Sequence, residues 1–177
     1  MLPENLIKNK NISILALDLA QHCGYAYQRQ GRATISGVWD LKPTREESKG
    51  IVLFKLAKNI REIYNTKGID VIAYETATVM AGKKGAMRAL GVIGHAELQG
   101  ILKLLTHEWD INYKGYRPTE IKKRAGKGNA KKDEMVRLAE EKFGKEGITH
   151  DEADALWLLE LAKDEFLKVS TNIRDIF

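Results

Sequence analysis

Two stretches of the chain are apolar almost throughout, and each closes on a carboxylate. Asn11 to Asp18 reads NISILALD, and Ile69 to Glu75 reads IDVIAYE. A continuous apolar run of strand length marks a strand buried on both faces of a sheet, so Asp18 and Glu75 surface where two central strands end. After the first run, residues 19–23 make a short turn. Residues 24–30 and 32–39, parted by Gly31, carry aromatic and β-branched residues around a turn and predict an antiparallel hairpin. Strands one to three therefore form a meander.

A helix is expected from Pro43 and Thr44, with Thr44 and Glu47 spaced as a capping box and Gly68 as its end. Leu53, Leu56, Ala57, Ile60 and Ile63 with Tyr64 fall on one face of it. A helix between strands three and four suits a right-handed crossover into the same sheet. Residues 76–85 form a loop bearing glycine and lysine, and 86–105 a long helix. Gly91, Gly94 and Gly100 in that helix each cost about 1 kcal/mol against alanine, which points to close packing on the sheet or on a partner helix. A short strand follows at 111–116, a helical turn at 118–124 and a helix at 132–143, ended by Gly144. The last helix takes Thr149 as N-cap and runs to Leu167, with Leu156, Leu159, Ala162 and Phe166 as its buried face. No repeat, low-complexity segment or second core interrupts this order. The pattern describes one α/β domain over residues 1–177, its core about 11–167, with a polar lead-in and a short tail.

Composition narrows the function. The 177 residues carry a formal net charge of +5, and 44% are hydrophobic. A basic balance is compatible with a polyanionic partner but does not require one. The single cysteine, Cys23, excludes a disulfide framework and a Cys-cluster zinc site, and reads as a small buried side chain in a reducing compartment. No apolar run reaches membrane-span length, and MLPENLIKNK lacks a signal-peptide core, so a cytoplasmic protein with no membrane partner is expected.

The acids carry the chemistry. The last helix opens His150-Asp151-Glu152-Ala153-Asp154, and the three-residue spacing puts Asp151 and Asp154 on one face. If strands one and four are neighbours, Asp18 and Glu75 lie side by side and the helix can bring Asp151 and Asp154 over them. Four such carboxylates repel one another and are stable only with cations. All-oxygen donors suit Mg²⁺, with Mn²⁺ able to substitute. Two ions about 3.5–4 Å apart would activate a water and stabilise the leaving oxygen in phosphodiester cleavage. Each acid alone is equally well explained as a strand-end or helix-start charge; it is their combination on a basic chain that favours a site.

Between Lys114 and Lys132 stand eight positive residues in nineteen, against the one acid Glu120. They include Arg117, Lys122, Lys123, Arg124, Lys127 and Lys131, around Gly126 and Gly128. Such a run is often only a solvated face. Here it leads to the acidic helix, where cations would hold a polyanion and glycines would let backbone approach phosphate. Lys83, Lys84 and Arg88 add a second basic cluster after Glu75. The combination favours DNA or RNA over a small phosphorylated substrate.

The order of Asp-ended strand, hairpin, helix, Glu-ended strand and late helix with Asp-x-x-Asp-Ala resembles the RuvC Holliday-junction resolvases of the ribonuclease H-like superfamily. The likeness spans about residues 12–165 and is most specific in YRPTEIKKRAGKGNAKKDEMV followed by HDEADALWLL. It implies a ribonuclease H-like fold with a mixed five-stranded sheet flanked by helices, and Asp18, Glu75, Asp151 and Asp154 as metal-binding catalytic acids. Lys122 and Lys132 take the places of two lysines that contact DNA at the scissile phosphate, with Lys123 and Lys131 one residue away as alternatives. It further implies a homodimer that cuts four-way DNA junctions, with helix 86–105 as the suspected interface. Where the family carries Asp-Pro-Gly this chain has Asp18-Leu19-Ala20, and TATVMAGKKG after Glu75 also departs from it, as in a divergent member of phage or mobile-element type. Two other readings stand beside a junction nuclease: a non-catalytic nucleic-acid-binding module on the same fold, and a ribonuclease acting on RNA–DNA hybrids.

Overall fold

β1 (Ser13–Asp18) lies at the centre of a five-stranded sheet ordered β3-β2-β1-β4-β5. The computed structural model describes residues 11–76, 85–126 and 130–172, with the side chains of 85–91 and 168–172 excepted. β2 (His22–Arg29) and β3 (Ile35–Asp40) run antiparallel in a meander from β1, whereas β4 (Val71–Glu75) and β5 (Asn112–Tyr116) run parallel to it. The helices are α1 (Ile51–Lys67), α2 (Gly85–Glu108), α3 (Pro118–Ala125), α4 (Lys132–Phe143) and α5 (His150–Asn172). The fold is a mixed five-stranded sheet whose first three strands are antiparallel, flanked by helices, as expected. Among the described residues no helix is long and apolar enough to cross a membrane.

The unbroken apolar character of β1 and β4 has the expected cause: each strand is buried on both sides. Leu15, Leu17 and Ile72 face a core shared with α1 and α2, while Ile14, Ala16, Val71 and Ala73 face a second core built on α3, α4 and α5. Completely burying a Leu or Ile side chain contributes about 1.5–3 kcal/mol relative to exposure, so the centre of the sheet is its most strongly held part.

α5 crosses β2 and β1 and extends over β3 and β4. The row beneath it is small. Ser36, Ala26, Ala16 and Ala73 sit side by side on four neighbouring strands, and a row of small side chains leaves the helix backbone room to come close to the sheet. Thr149 is the N-cap, its Oγ1 accepting the Glu152 N–H at 3.2 Å.

Two expectations are corrected. The Thr44–Glu47 pairing forms, with the Thr44 N–H donating to Glu47 Oε2 at 2.8 Å, but it closes a turn and not a helix. Lys55 draws the Glu47 carboxylate back at 3.0 Å and also donates to the Lys42 carbonyl, folding this segment onto α1, which starts only after Gly50. In α2, no described atom lies within 4 Å of where a Cβ would stand on Gly94 or Gly100. Close packing on the sheet is therefore not what these two glycines serve. Gly91, the loop 76–85 beyond Thr76, the lead-in 1–10 and the tail fall outside the described residues or side chains.

Replacing Ala16 by leucine should overfill the space under α5 and destabilise the protein by about 1–3 kcal/mol, read from the urea midpoint. An unchanged midpoint would mean that α5 does not rest on this row.

Candidate active site

Side-chain alternation fixes where the strand-end acids point. Ile14 and Ala16 face the α5 side of the sheet, so Asp18, two residues on, faces it too. Val71 and Ala73 do the same on β4, which turns Glu75 to that side. The parallel register pairs Leu17 with Tyr74, leaving Asp18 and Glu75 one residue further on, at adjacent strand ends. α5 starts at this same end, so its first turn carries Asp151 and Asp154 over them. The four acids named from the sequence thus meet at one rim.

Burial and neighbouring charge act on three of them. Burial pushes the Asp18 carboxyl up to about 8, and the charges of Glu75, Asp154 and Asp151 add to the rise. Burial likewise raises Glu75 to about 7, with Asp154 adding to it. Asp154 is also raised, by burial first and then by Asp151. Asp154 therefore acts on both strand-end acids. Cys23, next in the chain to the glycine paired with Asp18, is fully buried, and burial with the Asp18 charge pushes its thiol well up, leaving it protonated and inert.

The opposing charges come from Lys132, which acts on Asp18, Glu75 and Asp154, and from Lys122, which acts on Glu75 and Asp154. These are the two lysines singled out from the sequence. Arg117, Lys123 and Lys131 are exposed at the same end of the molecule, flanking α3 and α4. Arg124 departs from expectation. Its Nη2 lies 3.3 Å from Glu160 Oε2, and its Nε lies 2.6 Å from Asp164 Oδ2, off the N–H direction and so a charge contact. It ties α3 to α5, because the nearly buried Glu160, which also meets Lys142 and Lys163, attracts cations inward. Lys83, Lys84 and Lys127 lie outside the described residues, as does the side chain of Arg88.

Carboxylate oxygens alone, crowded and desolvated so that protons cling to them, form a donor set that fits a hard divalent cation. Among the described residues no three acids or histidines stand at the spacing of a closed metal shell.

Sequence reading passed over Glu152 as one more helix-start charge. It is only 6% exposed and accepts hydrogen bonds from Ser36 Oγ at 2.7 Å and from Lys145. The signal was in its position: one residue from Asp151, it points to a different face of the helix.

Neither a family model nor a curated protein sequence matches the chain. Solved structures do. Thermus thermophilus RuvC superposes with a TM-score of 0.65 at 16% identity, covering 90% of this chain and 98% of that one. The same protein in complex with a Holliday junction substrate gives 0.68 at 16% identity, over 90% of this chain and 97% of that one. The yeast mitochondrial Holliday junction resolvase Ydc2 gives 0.58 at 12% identity, over 98% of this chain and 89% of that one. At such identities the likeness speaks for the fold.

The raised acids make metal-free stability depend on pH. Folded Asp18 and Glu75 hold protons that the unfolded chain, with ordinary values of 3.8 and 4.5, has released, so stability falls as pH rises from about 4 to about 8. In EDTA, Tm should drop more steeply across this window for the native chain than for Asp18→Asn, and Mg²⁺ should reduce the drop. Parallel curves for the two proteins would contradict the placement of Asp18.

Proposed function

We propose that this RuvC-like fold carries a divalent-metal-dependent endonuclease that cuts branched DNA, four-way junctions foremost, as a homodimer. One observation supports it above the others: two strand-end carboxylates with raised pKa values lie under an acidic helix start, with Lys122 and Lys132 acting on the same group.

On this reading Asp18, Glu75, Asp151 and Asp154 hold Mg²⁺ or Mn²⁺, two ions per site. The bound cations would acidify a water and neutralise charge on the leaving oxygen. Asp18 and Glu75 supply rigid donors, because they project from the two most deeply buried strands. Asp154 bridges their two fields from above. Lys122 and Lys132 hold the phosphate against the site and offset charge as it builds. Arg117, Lys123 and Lys131 take flanking phosphates, a sequence-independent contact that weakens with salt. By their place in the sequence, Lys83, Lys84, Arg88 and Lys127 are assigned to DNA contact as well.

The proposed dimer uses α2. Ile93 is 54% exposed and Leu104 60%, and with Gly100 they fall on one helical stripe at i, i+7 and i+11. Gly100 leaves room there for another helix to approach. A twofold dimer matches a twofold junction and would give paired nicks.

A synthetic four-way junction with Mg²⁺ or Mn²⁺ should be cut between pH 6 and 9, in preference to linear duplex and to an RNA–DNA hybrid. Uncut DNA with both ions would refute the nuclease and leave a binding module; preferential cutting of the hybrid would make it a ribonuclease. Asp18→Asn should abolish cleavage and keep junction binding, since it removes metal-holding charge and leaves the basic surface intact. Leu104→Glu should yield a folded monomer by light scattering, and an intact dimer would remove α2 as the interface.

A further inference from the structure

The acids of α5 can serve a metal only if the first turn of that helix sits at one defined height above the sheet. Two residues outside the acid set fix that height. Gly24, on β2, is the antiparallel partner of Asp18 and, two residues before core-facing Ala26, lies on the α5 side. A Cβ there would stand 1.8 Å from the Asp151 carbonyl oxygen, 2.4 Å from its carbonyl carbon and 3.2 Å from the Glu152 nitrogen. Those are backbone atoms, which cannot rotate aside as a flexible side chain can. The backbone of Asp151 thus rests directly on the bare Cα of the residue beside Asp18.

The second residue is Glu152. Its carboxylate accepts from Ser36 Oγ at 2.7 Å and from Lys145, which also donates to the Ser36 carbonyl at 3.2 Å. Ser36 pairs with Ala26, so this tether is anchored on β3, one strand beyond Gly24 and on the same sheet face. Lys145 belongs to the segment entering α5 and closes the clamp from the other side. A floor at Gly24 and a tether at Glu152 leave the first turn little freedom to lift or slide.

We propose that Gly24 and Glu152 are positioning residues: they seat the first turn of α5 on the β2–β3 hairpin and so set where Asp151 and Asp154 meet Asp18 and Glu75. The proposal rests on the metal-dependent reading above. Neither residue touches metal or DNA; both act through the acids' placement.

The test is calorimetric titration with Mn²⁺ of the full chain, alongside its thermal unfolding in EDTA. Gly24→Ala and Glu152→Ala should each weaken Mn²⁺ binding by about tenfold or more, the range seen when supporting groups of a metal site are removed. Glu152→Gln keeps an acceptor for Ser36 and should recover most of the loss. Ala162→Gly, further along α5, should lower Tm yet keep native Mn²⁺ affinity, which separates seating from general stability. Native affinity in folded Gly24→Ala or Glu152→Ala overturns the proposal, as does an equal loss in Ala162→Gly. Should Gly24→Ala fail to fold, Glu152→Ala and its Gln counterpart decide alone. If the native chain takes up no Mn²⁺, the nuclease reading falls and this one with it; if it does and the variants match it, only this one falls.

Discussion

Burial of carboxylates at the end of the central strands is the constraint on which the architecture turns. Loss of water raises the energy of charged Asp18, Glu75 and Asp154, and neighbouring acids add to it: Glu75, Asp154 and Asp151 at Asp18, Asp154 at Glu75, and Asp151 at Asp154. A fold tolerates such a group only if the surrounding structure is strong enough to hold it, and only if something positive answers it. The strength comes from the two central strands, packed on both faces. The answer within the chain comes from Lys122 and Lys132, reaching in from α3 and the start of α4.

The sheet's small residues make this geometry possible. Ser36, Ala26, Ala16 and Ala73 form a low platform beneath α5. Gly24 continues the platform to the rim, where the helix backbone comes closest. Larger side chains in this row would overfill the space under α5 and lift the acidic turn away from the strand ends. Packing and site chemistry are here consequences of the same small residues.

Much of this was legible in the chain itself. NISILALD and IDVIAYE announced central strands ending in acids because strands buried on both faces admit few polar residues, and the Asp-x-x-Asp spacing at a helix start needs only the helical period. Thr149 as N-cap followed from local hydrogen bonding. The start of α1 was harder, because the local rule at Thr44 and Glu47 was overridden by Lys55, eight residues beyond Glu47. Arg124 belonged to a charge run by sequence, but Glu160 on α5, thirty-six residues on, draws it inward. Gly24 and Glu152 were invisible for the same reason: their importance lies in a contact between β2 or β3 and α5, more than a hundred residues apart for Ser36 and Glu152.

The likeness to RuvC and Ydc2 structures at 12–16% identity shows that this fold forms from widely different sequences. The most direct measurement of the central claim is a crystal structure grown with Mn²⁺, read by anomalous scattering. The account predicts density coordinated by Asp18 and Glu75 and capped by Asp154, with the carboxylates drawn closer than in the metal-free chain. Acids that stay apart, or that share protons with one another and leave the rim without an anomalous peak at millimolar Mn²⁺, would contradict it.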